Sequence, residues 1–348
     1  MAALTRRSSS HGRRVAFAAL CAAGLLAACS GSTRLPDAVG AQRDDQAPTT
    51  TVASPTFPTC TEEEKTTQDP TRSYAPTGAL PTPGQMPDGS TMAAIQQRGR
   101  LIVGVSGDTL LFGARNPLTG EIEGFDIDIL KEVAKAIFGE GGEDKIEYKV
   151  ITYADRLPKL ELGPDNGGVD IVAHTMTINC NRWLRIAFSS EYYNAGQKVL
   201  VKQGSGFATI DDLDAAGATV CAPEGSTNID FITNNPNYPD LVVVGEPDIT
   251  DCLVGMQQGE IDAATGDDTV LAGFAAQDPN TEVVGDQLTQ EPYGLGMGKD
   301  KIDFVRFVNG VLEAVRNSGR WSEIYDRWLL GPLKKDRVVP AALYGREP

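Results

Sequence analysis

The stretch Gly124-Phe125-Asp126-Ile127-Asp128-Ile129-Leu130-Lys131-Glu132-Val133-Ala134-Lys135-Ala136-Ile137-Phe138 decides how the chain folds. Ile127, Leu130, Val133, Ala134 and Ile137 recur at helical spacing, and Asp126 and Asp128 stand in the first turn, where acids complement the helix dipole. This spacing predicts a helix over 126–138. Before it, Leu101-Ile102-Val103-Gly104-Val105 is a short apolar run of the kind buried on both faces of a sheet. After it, strands are expected at 146–150, 169–173, 198–201, 219–222 and 241–244. Helices are expected at 154–162, 228–233, 251–258, 268–275, 301–317 and 321–329. Strands and helices in alternation predict an α/β architecture of parallel sheets covered by helices.

The 348 residues suffice for two average domains. With 31 basic against 47 acidic residues and a formal net charge of −16, the chain repels phosphate backbones, which argues against nucleic acid as a partner. The two histidines, His11 and His174, rule out a histidine-rich metal centre, and neither a metal nor a cofactor is expected. The sequence contains no His-Glu-x-x-His, Gly-x-Ser-x-Gly, Ser-x-x-Lys or phosphate-loop motif. Gly294-Leu295-Gly296-Met297-Gly298 lacks the spacing of a nucleotide fingerprint and reads as strand glycines.

The N-terminus reads as an address. Arg6, Arg7, Arg13 and Arg14 precede the apolar run 15–26, too short for a typical membrane span and suited to an export signal over 1–28. Leu26-Ala27-Ala28-Cys29 resembles the lipobox of bacterial lipoproteins, which implies a lipid on Cys29. Residues 29–90 hold nine of the 21 prolines with little apolar periodicity, and are read as a tether. Export implies an oxidising compartment, and Cys60, Cys180, Cys221 and Cys252 remain for two disulfides, with three possible pairings.

Gly124 to Ile129 with Val133-Ala134 and Ile137 resembles the signature of bacterial extracellular solute-binding proteins of family 3, which deliver polar amino acids to ABC importers. The likeness continues in order through Val169-Asp170-Ile171, Thr175-Met176-Thr177-Ile178, Arg182, Tyr192-Tyr193, Asp211-Asp212-Leu213 and Glu224-Gly225-Ser226-Thr227. It ends with Ile261-Asp262-Ala263, Asp267-Asp268, Tyr293-Gly294-Leu295, Trp321, Tyr325 and Trp328. With the lipobox and the threonine-rich tether, the chain looks most like the glutamine- and glutamate-binding lipoproteins of actinobacteria. The resemblance implies a type II two-lobe fold with the ligand between the lobes: lobe 1 at 91–196 and 293–330, lobe 2 at 197–292, and a tail at 331–348. The two crossings are expected near residues 196–201 and 290–296. Lobe membership then pairs Cys221 with Cys252 and Cys60 with Cys180.

Site residues follow from the same resemblance. Arg182 is expected to grip the ligand α-carboxylate, with Thr177 and the loop Gly225-Ser226-Thr227 as further donors. Asp267 is expected to accept the α-ammonium, helped by the Thr175 carbonyl, and His174 to approach the ligand side chain. Arg156, in a stretch resembling glutamate/aspartate-binding relatives, is expected to face the cleft as a second cation. The implied ligands are glutamate, aspartate, glutamine and asparagine, the acids at least as tight as the amides. The implied partner is an ABC permease or a membrane sensor, with the chain a lipid-anchored monomer outside the cytoplasm. A cyclohexadienyl or arogenate dehydratase-like enzyme on the same fold is the alternative. Phe112 and Tyr153 are weaker candidates for cleft walls, since aromatics more often fill cores.

Overall fold

The computed structural model describes residues 58–347. The export signal at 1–28, Cys29 and the first part of the expected tether lie outside the described residues.

Two sheets organise the chain. The first is ordered Ile146–Val150, Leu101–Val105, Ile171–Ala173, Gly296–Gly298, Ile186–Phe188. Leu101–Val105 pairs in parallel with Ile146–Val150 and with Ile171–Ala173, and all five of its residues are buried. Against its face packs the helix Phe125–Phe138, whose Ile127, Leu130, Val133, Ala134 and Ile137 are fully buried, as the periodicity requires. Fully burying one such aliphatic side chain contributes about 1.5–3 kcal/mol, so this stripe alone fixes the helix on the sheet. The second sheet is ordered Val242–Glu246, Thr219–Pro223, Ala263–Asp267, Tyr193–Lys202, Thr281–Val284 and has an apolar cluster on each face.

The sheets are mixed, where parallel sheets were expected. Gly296–Gly298 runs antiparallel to both its neighbours in the first sheet, and Tyr193–Lys202 runs antiparallel to Ala263–Asp267 and Thr281–Val284 in the second. The reason is the connection between lobes. Tyr193–Lys202 is ten residues long; its first half pairs with Gln290–Tyr293, and its second half enters the second sheet. Chain that crosses out and back must enter each sheet against the direction of the βαβ strands. The register sets Asp267 opposite Gln197, Glu291 opposite Ala195 and Tyr293 opposite Tyr193, so these side chains are set where the strands pass between lobes.

Residues 58–90 correct the tether expectation over that range. Glu62–Thr67 is a helix with a Thr61–Glu64 capping box, and Ser73 and Tyr74 are buried. Asn309, fully buried, accepts from the Ser190 N–H at 2.6 Å and donates to Ser73 Oγ at 2.9 Å and to the Tyr74 carbonyl at 2.7 Å. Trp183 Nε1 donates to the Pro70 carbonyl at 2.7 Å, and the Ser73 N–H donates to the Leu343 carbonyl at 2.9 Å. The segment and the tail therefore clasp lobe 1 through these polar contacts and through Tyr74 and Met86, which join its apolar core without any periodic signal in the sequence. The tail also reaches lobe 2, where Lys335 pairs with Asp268.

Disulfides join Cys60 to Cys180 and Cys221 to Cys252, the pairing that lobe membership implies. The second closes 31 residues, and a loop of that size stabilises by about 3–4 kcal/mol through the unfolded chain. The Cys221→Ser/Cys252→Ser double variant is accordingly expected to melt at least 6 °C lower, at about 2–4 °C per kcal/mol for a domain of this size. A change under 2 °C in differential scanning calorimetry would show that the bridge carries no such load.

Candidate functional site

One of the helix-opening acids, Asp126, holds the site's backbone. Gly124 adopts φ 142°, and a Cβ there would lie 2.1 Å from the Phe112 carbonyl oxygen. Asp126 is buried, accepts from Tyr192 Oη at 2.6 Å, and accepts from the Thr175 N–H at 3.0 Å. Burial raises its carboxyl to about 6, although both hydrogen bonds pull the other way. Thr175 has φ 41°, an uncommon value for a non-glycine residue, and the Asp126 contact holds it there. The Asp126 carboxylate thus sets the loop that carries His174, Thr175 and Thr177.

Arg182, 6% exposed, is the third residue of the short helix Cys180–Trp183, whose N-cap Asn179 accepts from the Arg182 N–H at 2.9 Å. Its guanidinium donates to the Thr177 carbonyl of its own lobe at 2.7 Å and to the Gly225 carbonyl of the other lobe at 3.2 Å. Asp267, 5% exposed, ends a lobe 2 strand; it accepts from Asn228 Nδ2 at 2.9 Å and from the Tyr293 hydroxyl. Burial, and then the charge of Glu291, push its carboxyl up to about 7. Cation and carboxylate are thus both withdrawn from water at the junction of the lobes.

Arg156 is buried rather than paired with a surface neighbour; Glu161 instead pairs with Arg185. Arg156 donates from Nε to the Tyr153 carbonyl at 2.9 Å, from Nη1 to the His174 and Thr175 carbonyls at 3.1 and 3.4 Å, and from Nη2 to the Gly225 carbonyl at 3.0 Å. It also lies 4.6 Å from the centroid of the Tyr153 ring. Burial and the charge of Arg182 pull its pKa down to about 9. Its fork therefore holds backbone from both lobes. Gly225 needs its φ of 74°, and a Cβ there would come within 2.9 Å of Ala154 Cα across the cleft.

His174 is buried and edge-on to Tyr153, with centroids 4.5 Å apart. Its Nε2 lies 3.1 Å from the Ile151 carbonyl, which can only accept, so Nε2 carries the proton. Burial and the nearby Arg156 charge lower its pKa to about 3, so the ring is neutral and Nδ1 is bare and without a hydrogen-bond partner in the protein. Ser226 spends its hydroxyl as an N-cap, accepting from the Ile229 N–H at 3.1 Å and donating to the Pro223 carbonyl at 2.7 Å. Phe112 lies in an aromatic core group with Phe125, Tyr193 and Tyr293.

Glu291 was missed by the sequence reading. It is 2% exposed, on the returning crossing strand, and accepts from Thr177 Oγ1 at 2.6 Å and Thr227 Oγ1 at 2.7 Å, and also from Thr289. A hydroxyl has one proton, so Thr177 and Thr227 give theirs to Glu291. An acid flanked by Gln290 and Pro292 carries no local signal of burial. It lies opposite Ala195, and two of its hydroxyl donors, Thr177 and Thr227, come from segments distant in the chain.

A groove of about 610 Å³ on lobe 1, with Arg98, Leu160, Asp165 and Lys301 among its walls, contains none of these residues. Among the described residues there is no His/Cys/Asp/Glu group able to hold a metal, and no helix long and apolar enough to cross a membrane.

Asp267 yields a pH prediction. An α-ammonium binds the ionised carboxylate, and with a ligand-free value near 7 the proton must leave for binding below that pH. The dissociation constant is therefore expected to weaken about tenfold from pH 8 to pH 6, with proton release seen by calorimetry in buffers of different ionisation enthalpy. Tighter binding at pH 6 than at pH 8 would contradict an ionised Asp267 as the ammonium partner.

Comparison with known proteins gives the chain's family and fold. The ABC transporter glutamine-binding protein GlnH of Bacillus subtilis is 37% identical over 239 residues, 69% of this chain and 84% of that protein. The glutamate-binding protein GluB of Corynebacterium efficiens is 28% identical over 265 residues, 74% of this chain and 86% of that protein. The crystal structure of the solute receptor for L-cysteine of Neisseria gonorrhoeae superposes with a TM-score of 0.65 at 26% identity, covering 71% of this chain and 97% of that one. These relatives are named for binding rather than for catalysis, and the dehydratase-like alternative finds no support among them. The model of the bacterial extracellular solute-binding proteins, family 3, matches residues 101–331, and the chain belongs to that family of two-lobe, extracytoplasmic amino-acid-binding proteins.

Proposed function

We propose that this protein binds glutamate, aspartate, glutamine or asparagine between its lobes and presents the ligand to an ABC permease or a membrane sensor. It does so as a monomer anchored by a lipid on Cys29. The observation that carries the reading is the convergence of the buried Arg182 with the buried Asp267 and the Gly225 loop, drawn from opposite lobes. A zwitterion taken out of water needs a fixed cation for its carboxylate and a fixed anion for its ammonium. A planar guanidinium meets a carboxylate through two parallel bonds. The names of the glutamine- and glutamate-binding relatives support a side chain of this length and polarity.

A thermal-shift scan of the twenty amino acids tests the proposal. Ligand at about 100 times its dissociation constant adds roughly 2.7 kcal/mol to stability, so one or more of the four should stand clear of the rest. If none of them raises the melting temperature, or lysine and arginine raise it as much, the proposal fails.

A further inference from the structure

We infer that Glu291 is the side-chain selector of the cleft, favouring glutamine and asparagine over glutamate and aspartate. The inference rests on the amino-acid-binding reading above and reverses the ranking that Arg156 alone suggests.

Arg156 and Arg182 are the buried cations, and Asp267 and Glu291 are buried carboxylates beside them. The charges of Glu291, Asp230 and Asp267 all act on Arg182. His174 adds no positive charge, because burial keeps it neutral. Two cations against Glu291 and Asp267 leave no net positive charge for an extra carboxylate. A neutral zwitterion such as glutamine enters with its own two charges matched by Arg182 and Asp267. Glutamate brings a third charge with the sign of Glu291.

Arg156 does not compensate for it. Its donors hold the Tyr153, His174, Thr175 and Gly225 carbonyls, so a ligand carboxylate would have to take donors from backbone on both lobes. Nor can Glu291 turn away cheaply, since Thr177, Thr227 and Thr289 all donate to it. The bare Nδ1 of His174 is a hydrogen-bond acceptor, which an amide N–H can satisfy and a carboxylate cannot. Like charges at an effective dielectric near 20 still differ by more than tenfold in affinity when roughly 10 Å apart, so the discrimination is large enough to read.

Calorimetric titration of the full chain with glutamine and glutamate at pH 7.5, for the wild type and Glu291→Gln, decides the matter. The wild type is expected to bind glutamine at least tenfold more tightly. Glu291→Gln removes the charge, keeps the shape, and is expected to narrow that ratio at least tenfold. Equal or tighter binding of glutamate by the wild type overturns the inference even if the variant does not fold. So does a Glu291→Gln ratio that is unchanged while both proteins bind. Binding of neither amino acid by a wild type whose melting transition is intact overturns the amino-acid reading itself, and the inference with it.

Discussion

Arg182→Ala is expected to abolish useful ligand binding while leaving the fold in place. The guanidinium is 6% exposed and bridges Thr177 of one lobe to Gly225 of the other, so its loss removes both the carboxylate's counter-charge and one tie between the lobes. Removing one member of a buried charged pair costs about 2–5 kcal/mol, or roughly 30-fold to several thousand-fold in the dissociation constant. The fold survives because the residue sits within a four-residue helix at the cleft, while the lobe 1 core lies in the sheet and the helix Phe125–Phe138. Arg185→Ala is the control. Arg185 pairs with Glu161 in lobe 1, and its loss should leave the dissociation constant within threefold. Calorimetry showing Arg182→Ala within threefold of wild type would remove Arg182 from the site.

Gly124→Ala is expected to destabilise lobe 1 strongly. The Cβ would lie 2.1 Å from the Phe112 carbonyl oxygen and 2.3 Å from its carbon, which are backbone atoms that cannot rotate away. Phe112 is itself fully buried, and its carbonyl accepts from the Asp126 N–H at 3.0 Å, so moving it also disturbs the contact that sets Thr175. A loss of about 3 kcal/mol or more follows from the clash and the φ of 142° together. That corresponds to a melting temperature lower by about 6–12 °C. Gly78→Ala, at a φ of 124° but with open space around it, should cost only about 1–2 kcal/mol. Equal effects in a thermal melt would show that backbone conformation, not the Phe112 contact, sets the cost at Gly124.

What could be read from the sequence was what repeats locally or sits in a motif. The helix at 125–138 and the strand at 101–105 follow from side-chain periodicity, because burial of one face or both leaves that trace. Arg182, Thr177, Gly225 and Asp267 were singled out through ordered resemblance, and in the structure they lie near one buried junction. Residues 58–90 escaped because their order comes from a disulfide, from the donors of Asn309 and Trp183 more than 100 residues away, and from the isolated apolar side chains Tyr74 and Met86, which show no periodicity. The antiparallel strands escaped because two crossings reverse the direction that strand–helix alternation suggests. Arg156 was placed at the cleft, but the sequence could not reveal that its donors go to backbone carbonyls. Glu291 gave no sign, since its burial depends on Thr177 and Thr227, which lie 114 and 64 residues from it in the chain.

The central claim is that the junction of the lobes grips an amino acid by both ends of its zwitterion. A crystal structure of the protein grown with L-glutamine tests this most directly. The account predicts the ligand α-carboxylate within hydrogen-bonding distance of the Arg182 guanidinium, and the α-ammonium on the Asp267 carboxylate. A ligand bound away from both residues, or seated with its side-chain amide on Arg182 and its carboxylate elsewhere, would contradict it.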